Sequence, residues 1–347
     1  MNNIIINQNI HQALSEFFEG RQYSSILVIS DEHTNKDCYQ RLDLHKSLPP
    51  HSLIEIKSGE SQKNLSTCEK IWQKMTDMEM DRRALIINVG GGVIGDMGGF
   101  CASTYKRGID FVQIPTTLLS MVDASVGGKL GIDFHGFKNH IGVFKVPACV
   151  IVSTPFLETL PEAELRSGYA EVIKHSLIAD SKKWESLIFE DWKHLDFEEI
   201  ARHSIAIKDQ ITTEDPTEKG KRKILNFGHT LGHAIETFFL ETPSHLLHGE
   251  AIAIGMICES YLSFQRKLIG QEELDQITNY ILKTFGRQRI IHLGFEKILE
   301  IARQDKKNEF SEIQFALIGP IGECSFSIPV SEQEMIGALE YYNQEAS

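Results

Sequence analysis

Residues 84–96 read ALIINVGGGVIGD, and this stretch decides the fold class. The aliphatic run up to Val89 is typical of a buried strand, and the three glycines after it open a predicted helix. Glycines let backbone N–H groups approach phosphate oxygens, and a helix N-terminus favours negative charge. However, the spacing G-G-G-x-x-G differs from the usual dinucleotide pattern, and glycine after a strand often serves only a tight turn. A phosphate cradle and a plain turn therefore stay open as alternatives at this point.

Similar apolar runs occur before and after this stretch. Segments typical of buried strands lie at residues 24–30, 52–56, 111–115 and 149–153. Between the second of these runs and the glycines, residues 62–75 place four apolar side chains at helical spacing, namely Leu65, Cys68, Ile71 and Trp72. Strands that alternate with helices predict a Rossmann-like α/β domain built on a parallel sheet.

The second half of the chain has a different pattern. After about residue 155, long helical patterns follow at residues 162–177, 197–212, 226–240, 249–268 and 271–285. Two short strand-like runs, at residues 313–318 and 324–328, flank a GPIG segment and predict a β-hairpin. Because 347 residues exceed the usual size of one domain, we predict two. They are an α/β domain over residues 1–155 and a mainly α-helical domain with a short hairpin over residues 156–347.

The composition argues against several classes of protein. A net charge of -13 disfavours nonspecific nucleic-acid binding, which depends on clustered Lys and Arg. The six cysteines form no C-x-x-C pair, which argues against a disulfide framework or a thiolate zinc site. The first residues, MNNIIINQNIHQALSEFF, resemble no export signal, and no apolar stretch has the length of a membrane span. We therefore expect a cytoplasmic protein that binds neither nucleic acid nor membrane.

A second polar cluster follows the next predicted strand. Residues 115–117 read PTT, and residues 123–129 read DASVGGK. Because ligands gather outside the carboxyl ends of parallel strands, we expect these segments and the glycines to line one crevice. Arg107 and Lys129 lie beside Gly-rich turns, and if they converge the ligand is an anion, most simply one with a phosphate and a carboxylate.

Histidines in the second half suggest a metal site. In residues 226–234, NFGHTLGHA, His229 and His233 lie four residues apart on one predicted helix face. His245 and His248 follow in SHLLHGE, and Glu171 lies in AEVIK. Two imidazoles and one carboxylate leave coordination positions open, as expected of a catalytic zinc. A lone histidine would be read as structural, whereas this set favours a metal.

Seven motifs in order carry a resemblance to a known family. They are GGGVIGDMGGF, TYKRGIDFVQIPTTLLSMVDASVGGK, GFKNHIG, ELRSGYAEVIKH, LNFGHTLGHAIE, HGEAIAIGM and DKK. Together they resemble 3-dehydroquinate synthase, a member of the sugar phosphate cyclase superfamily, from about residue 55 to residue 320. Any single motif would be weak, but seven linked motifs are specific.

The resemblance implies a dehydroquinate synthase-like fold and a lyase of the shikimate pathway, which leads to chorismate and the aromatic amino acids. Such an enzyme converts 3-deoxy-D-arabino-heptulosonate 7-phosphate to 3-dehydroquinate and phosphate, using NAD and Zn²⁺ or Co²⁺. The implied steps are transient oxidation, phosphate elimination, re-reduction, ring opening and intramolecular aldol closure. The family is commonly dimeric, so we expect a homodimer.

The resemblance also implies site residues, by motif. The implied NAD contacts are Asp31, Glu60, Lys63, Gly91, Gly92, Val93, Asp96, Thr116, Thr117, Lys129, Lys138, Phe156 and Thr159. The implied metal ligands are Glu171, His229 and His248. His233, which helical spacing assigned to the metal, would instead face the substrate. His245 has no implied role.

The implied substrate residues form three groups. Lys129, Asn139, Lys174, Lys208 and Asn226 would orient the substrate. The phosphate would contact Arg107, Asn139, His233 and one of Lys306 and Lys307, and the carboxylate would lie near Lys129, Lys208 and Arg222. Asp123 would organise polar groups close to the metal and nicotinamide.

Three alternatives explain some of the same residues. A sister cyclase of the valiolone or deoxy-inosose type would alter the carboxylate-side residues, whereas this chain keeps Lys208, Arg222, Asn226 and the two lysines of DKK. A metal-dependent dehydrogenase of the glycerol dehydrogenase type would not need so many anion-binding groups. A non-catalytic NAD-binding scaffold would have no reason to keep the metal set and Lys129.

Overall fold

The computed structural model describes residues 3–135, 137–240, 242, 244–290, 293–305 and 313–345. The chain forms two compact units. The first unit comprises Met1–Leu165 with Asp196–Asp209, and the second comprises Arg166–Leu195 with Gln210–Ser347. Neither unit is one continuous segment, because residues 196–209 return to the first.

A parallel sheet is the centre of the first unit. Its strands and those of a neighbouring hairpin are β1 (Ile4–Ile6), β2 (Ile26–Asp31), β3 (Ser52–Ile56), β4 (Leu85–Gly90), β5 (Asp110–Pro115), β6 (Lys129–Phe134), β7 (Phe137–Phe144) and β8 (Cys149–Val152). Six of them form the sheet in the order β1-β8-β5-β4-β2-β3, and every pair is parallel. The five predicted strands are confirmed as β2, β3, β4, β5 and β8. β6 and β7 pair antiparallel as a separate hairpin.

The helices of the first unit include three that bury apolar side chains and one short polar helix. They are α1 (Ile10–Phe18), α2 (Glu32–Thr34), α3 (Leu65–Asp77) and α4 (Gly92–Thr104). In α3, Cys68, Ile71 and Met75 recur at helical spacing and are buried in the core around β4 and β5. The Asn64 side chain accepts a hydrogen bond from the Thr67 N–H and so caps the start of α3.

The second half of the chain is mainly helical, as predicted. Its helices are α5 (Glu162–Ala179), α6 (Ser181–Leu187), α7 (Phe197–Glu214), α8 (His229–Leu240), α9 (His248–Gln265), α10 (Gln271–Phe285), α11 (Leu293–Asp305) and α12 (Glu332–Glu345). The predicted hairpin is confirmed as β9 (Ile313–Ile318) paired antiparallel with β10 (Cys324–Val330). Among the described residues, no helix combines the length and the apolar character that crossing a membrane requires.

Two helices of the second unit touch backbone to backbone. A Cβ atom at Gly255 of α9 would lie 2.0 Å from the backbone oxygen of Gly228, and one at Gly232 of α8 would meet Ile252 at 2.8 Å. Gly228 also has a φ of +78°, which side chains rarely adopt, and this residue turns the chain into α8. α8 therefore begins at His229, three residues later than the pattern predicts.

Candidate functional site

The carboxyl ends of the parallel strands carry most of the predicted NAD contacts. Asp31 ends β2, Lys63 follows β3, Gly91 follows β4 and Thr116 follows β5. The chain passes from β2 outward to β3 and then back across to β4, so the strand order reverses between β2 and β4. A crevice outside this reversal point is where open α/β sheets bind ligands. Glu60, Thr117, Phe156 and Thr159 lie in the segments that follow these strands or β8.

The glycine turn after β4 is built to accept an anion. Gly91 precedes α4 and, among the described residues, its position provides no side-chain cap for the first backbone N–H groups of the helix. A Cβ atom at Gly91 would lie 3.2 Å from Cγ2 of Thr117, so the turn and the threonine segment are close together. This geometry favours the phosphate cradle over a plain turn.

Lys63 joins three polar residues beside this turn. It is buried, and its Nζ lies 2.6 Å from Oδ2 of Asp96 and 2.6 Å from Oδ1 of Asn139. Burial opposes its charge, but the carboxylates of Asp96 and Glu60 outweigh burial and raise the pKa of Lys63. The Asn139 N–H donates to Asp133 at 2.8 Å. The structure thus connects two predicted NAD residues to a predicted substrate residue.

Lys208 belongs to the first unit although it lies in the second half of the sequence. Its buried Nζ lies 2.6 Å from both Oδ1 and the backbone oxygen of Asp123. Asp123 lies in a π-helical turn, Ser120–Ala124. Lys208, an implied substrate residue, and Asp123, the implied polar organiser, therefore form an ion pair.

Arg107 lies apart from the glycine turn within its own chain. α4 starts at the carboxyl edge of β4 and its 13 residues span roughly 20 Å, so Arg107 is near the amino edge of the sheet. Within the first unit, Arg107 therefore does not converge with the Gly-rich segments as we expected. Arg107 and Asn139 have φ values of +72° and +50°, conformations that cost non-glycine residues free energy. Lys129 and Lys138 are exposed on the β6–β7 hairpin.

Glu171, His229 and His248 come together in the second unit. Oε1 of Glu171 lies 3.4 Å from Nε2 of His229 and 3.7 Å from Nε2 of His248. Glu171 is completely buried on α5, and the histidines are the first residues of α8 and α9. His233 joins them, since one ring nitrogen from each of the three histidines lies within 4.8 Å of the others. We call these four residues the metal cluster.

The second nitrogen of each proposed histidine ligand has a partner. Nδ1 of His229 lies 3.1 Å from the backbone oxygen of Phe227, and Nδ1 of His248 lies 3.3 Å from Oε2 of Glu236. With Nδ1–H donating, each ring keeps its Nε2 lone pair for a cation, which is how metal-binding histidines are usually oriented. Both carboxylate oxygens of Glu171 are buried and lack a hydrogen bond of normal geometry among the described residues. These donors fit a divalent cation.

Charges around the metal cluster favour the ligand forms of Glu171 and His229, but they favour a proton on His248. Burial raises the pKa of Glu171, but the Lys174 ammonium and the imidazoles outweigh burial and hold the pKa well below its ordinary value. Burial and the Lys174 charge lower the pKa of His229 well below its usual range. Burial opposes a charge on His248, but Glu171 and Glu236 raise its pKa to about 9. A cation would therefore displace a proton from His248 on binding.

Other predicted substrate residues surround α8. Lys174 is buried and forms an ion pair with Glu171. Arg222 and Asn226 lie in the turn Lys221–Asn226 before α8, where Arg222 donates to the backbone oxygen of Pro216 at 2.8 Å and Asn226 to Glu218 at 2.9 Å. His245 is exposed before α9. Lys306 and Lys307 lie outside the described residues.

Comparison with known proteins decides the family. Residues 53–167 match the family of the 3-dehydroquinate synthase N-terminal region, and residues 168–308 match that of the C-terminal region. The chain is 34% identical to 3-dehydroquinate synthase from Parabacteroides distasonis over 98% of both chains. It is 38% identical to that from Acetivibrio thermocellus over 86% of both. The chain belongs to the 3-dehydroquinate synthase family.

Solved structures resemble this 3-dehydroquinate synthase family member in fold. A 2-epi-5-epi-valiolone synthase from Streptomyces hygroscopicus, with NAD⁺ and Zn²⁺ bound, has a TM-score of 0.87 at 24% identity, over 99% of this chain and 96% of its own. A 2-deoxy-scyllo-inosose synthase complexed with carbaglucose-6-phosphate, NAD⁺ and Co²⁺ has a TM-score of 0.84 at 23% identity, over 97% and 96%. These similarities confirm the predicted fold class.

Sequence reasoning missed two buried glutamates that contact the residues around the metal cluster. Glu236 lies seven residues after His229 and three after His233, so the helical face that suggested a metal also contained it. Glu259 of α9 accepts the backbone N–H groups of Gly228, Thr230 and Leu231 at 2.6 to 3.2 Å, and so caps α8. No spacing in the sequence predicts that Glu259 caps α8. The assignment of NAD to residues 1–155, and of the metal and substrate to residues 156–347, stays a prediction.

Proposed function

We propose that this protein is a 3-dehydroquinate synthase, which converts 3-deoxy-D-arabino-heptulosonate 7-phosphate to 3-dehydroquinate and phosphate. The observation that carries the proposal is the metal cluster of Glu171, His229, His233 and His248, in a chain that belongs to this family. In reaction class the protein would be a carbon–oxygen lyase that eliminates phosphate. Its substrate would be a phosphorylated sugar acid.

The chemistry requires both proposed cofactors. Phosphate leaves with difficulty while the neighbouring carbon bears a hydroxyl, because the adjacent C–H is not acidic. NAD held at Gly91, Gly92 and Val93 would supply reversible hydride transfer at that carbon, and a divalent metal held by Glu171, His229 and His248 would polarise the hydroxyl. The transient ketone acidifies the adjacent C–H, phosphate is eliminated, and the ketone is reduced again. Ring opening and an internal aldol closure complete the product with no net oxidation.

Residues of the first unit would hold the dinucleotide. The backbone at Gly91, Gly92 and Val93 would take the pyrophosphate at the start of α4. The remaining proposed contacts are Asp31, Glu60, Lys63, Asp96, Thr116, Thr117, Lys129, Lys138, Phe156 and Thr159. Asp123, held by Lys208, would organise polar groups near the nicotinamide.

Residues of the second unit would hold the metal and part of the substrate. Glu171, His229 and His248 would be the ligands, and their oxygen and nitrogen donors suit zinc or cobalt. His233, Lys174, Arg222 and Asn226 would orient the substrate through charge-assisted hydrogen bonds. We assign the phosphate also to Arg107, Asn139 and one of Lys306 and Lys307. A homodimer and a cytoplasmic location complete the proposal, the latter supported by six free cysteines.

A substrate panel tests the proposal. Purified protein with NAD and Zn²⁺ is given 3-deoxy-D-arabino-heptulosonate 7-phosphate, sedoheptulose 7-phosphate or glucose 6-phosphate, and phosphate release is measured. We expect release from the first substrate alone, and its loss when NAD or Zn²⁺ is omitted. Release from either of the others instead would make the protein a sister cyclase, and no release from any would favour a scaffold.

A further inference from the structure

We infer that Glu236 is a positioning residue: it sets the ring orientation and the charge environment of His248, and through them the affinity of the metal cluster. The inference rests on the proposed metal site and adds a residue to it. Glu236 would contact neither the metal nor the substrate, so it would act through His248.

The contact between the two side chains is direct. Oε2 of Glu236 lies 3.3 Å from Nδ1 of His248, on the side of the ring opposite the nitrogen that faces Glu171. The Glu236 side chain is 9% exposed. A carboxylate so deeply buried costs free energy unless polar groups face it. Its position against the imidazole therefore indicates a specific role for the contact.

The backbone of His248 is fixed, but its ring requires a partner. The Leu247 N–H donates to Glu250 at 3.0 Å, and the Gly249 N–H donates to Oγ of Ser167 at 2.9 Å. These bonds hold the chain on both sides of His248 but leave the side-chain torsions undetermined. Histidine χ2 is broad and roughly two-fold, so a ring without an Nδ1 acceptor can turn its Nε2 away. The Glu236 carboxylate selects the rotation that points Nε2 at Glu171.

α8 holds the Glu236 carboxylate in place. The helix carries His229, His233 and Glu236 at successive turns, so one rigid element presents a ligand and the partner of another ligand. Glu259 caps the start of α8, and the backbones of α8 and α9 approach each other closely at Gly255. The distance from Glu236 to His248 is thus set by helix packing rather than by a loop.

The two proposed histidine ligands differ in the charge of their partners. His229 donates to a neutral backbone carbonyl, whereas His248 faces a carboxylate. Glu171 and Glu236 carry two negative charges, and Lys174 supplies one positive charge beside Glu171. Without Glu236 one negative charge is lost beside His248, and the cluster attracts a cation less strongly.

Zinc affinity is the measurement that tests the inference, since it does not depend on turnover. Glu236→Gln keeps the size of the side chain but removes its charge, and Glu340→Gln makes the same change at an exposed position of α12. Zinc-free proteins are titrated against a chromophoric chelator, and the Co²⁺ absorption spectrum is recorded for each. We expect Glu236→Gln to weaken Zn²⁺ binding about 10- to 100-fold and to alter the Co²⁺ spectrum. Glu340→Gln should match the wild type.

The outcomes separate this inference from the proposed function. A Glu236→Gln variant with wild-type Zn²⁺ affinity and Co²⁺ spectrum would overturn the inference, while the proposed metal site would stand. If the wild type itself bound no Zn²⁺, the site and the inference would both fail. A purely structural role would lower the melting temperature of the zinc-free variant without changing its affinity, and that result also contradicts the inference. At saturating Zn²⁺ we expect the kcat of Glu236→Gln to return towards the wild-type value, although its Zn²⁺ affinity stays lower.

Discussion

The charge of one buried carboxylate determines what the second unit can bind. Glu171 lies between Lys174 and two imidazoles, and its removal would leave the Lys174 ammonium buried without its anion. Breaking a buried ion pair in this way typically costs about 3 to 5 kcal/mol. We therefore expect Glu171→Gln to abolish Zn²⁺ binding and to destabilise the zinc-free protein by about 3 kcal/mol in urea unfolding.

A second substitution separates these two effects of Glu171→Gln. Adding Lys174→Met removes the unpaired ammonium, so the double variant should recover much of the lost stability but no Zn²⁺ binding. Stoichiometric Zn²⁺ binding by Glu171→Gln, measured on the purified variant, would show that the carboxylate is not a ligand.

In the first unit, the buried ammonium of Lys63 leads to a prediction about the pH dependence of stability. Its pKa is raised in the folded state, so its stabilisation is complete below the unfolded pKa of roughly 10.4 and is lost as pH rises through the folded value. We expect Lys63→Met to weaken NAD binding and to lower the unfolding free energy at pH 8. The stability difference between wild type and variant should shrink above about pH 10.4.

Calorimetric NAD titrations and denaturant unfolding across this pH range check the prediction for Lys63. Lys70, which is exposed on α3, gives a matched control as Lys70→Met. A stability difference that stays constant up to the most alkaline pH would show that the Lys63 ammonium does not stabilise the fold.

At the scale of elements, the contact between α8 and α9 positions the metal cluster. A methyl group at Gly255 would lie 2.0 Å from a backbone oxygen, and no rotamer change can relieve such a clash. We expect Gly255→Ala to push the helices apart, to destabilise the protein by about 1–3 kcal/mol and to weaken Zn²⁺ binding. Gly337→Ala on α12 is the control, because its nearest neighbour would be 3.9 Å away. Melting curves with and without Zn²⁺ that match the wild type would contradict this account.

Elements with strong apolar periodicity could be predicted from the sequence. The strands β2, β4 and β5 are rich in apolar residues and nearly all of their residues are buried, as expected of strands covered on both sheet faces. The β6–β7 hairpin could not be predicted, because its glycines Gly131 and Gly142 and its polar residues 138–140 obscure any alternation. The glycines are required there, since a Cβ at Gly142 would meet the Leu130 oxygen at 2.4 Å.

At the scale of the whole molecule, chain order and spatial grouping differ. Residues 196–209 belong to the first unit, which brings Lys208 to Asp123 across 85 positions of sequence. No periodicity in the sequence predicts that residues 196–209 belong to the first unit. The proposed metal ligands could be named only through the family motifs, because helical spacing alone paired His229 with His233. Glu236 and Glu259 act through contacts that only packing creates.

The proposed reaction requires NAD to be reduced and reoxidised within one catalytic cycle. The most direct test follows phosphate release and NADH absorbance together in one sample, with excess 3-deoxy-D-arabino-heptulosonate 7-phosphate over NAD. We predict many phosphates released per NAD with no accumulation of NADH, and loss of both signals after chelation until Zn²⁺ is restored. NADH that accumulates in proportion to substrate consumed would identify an ordinary dehydrogenase and contradict the account.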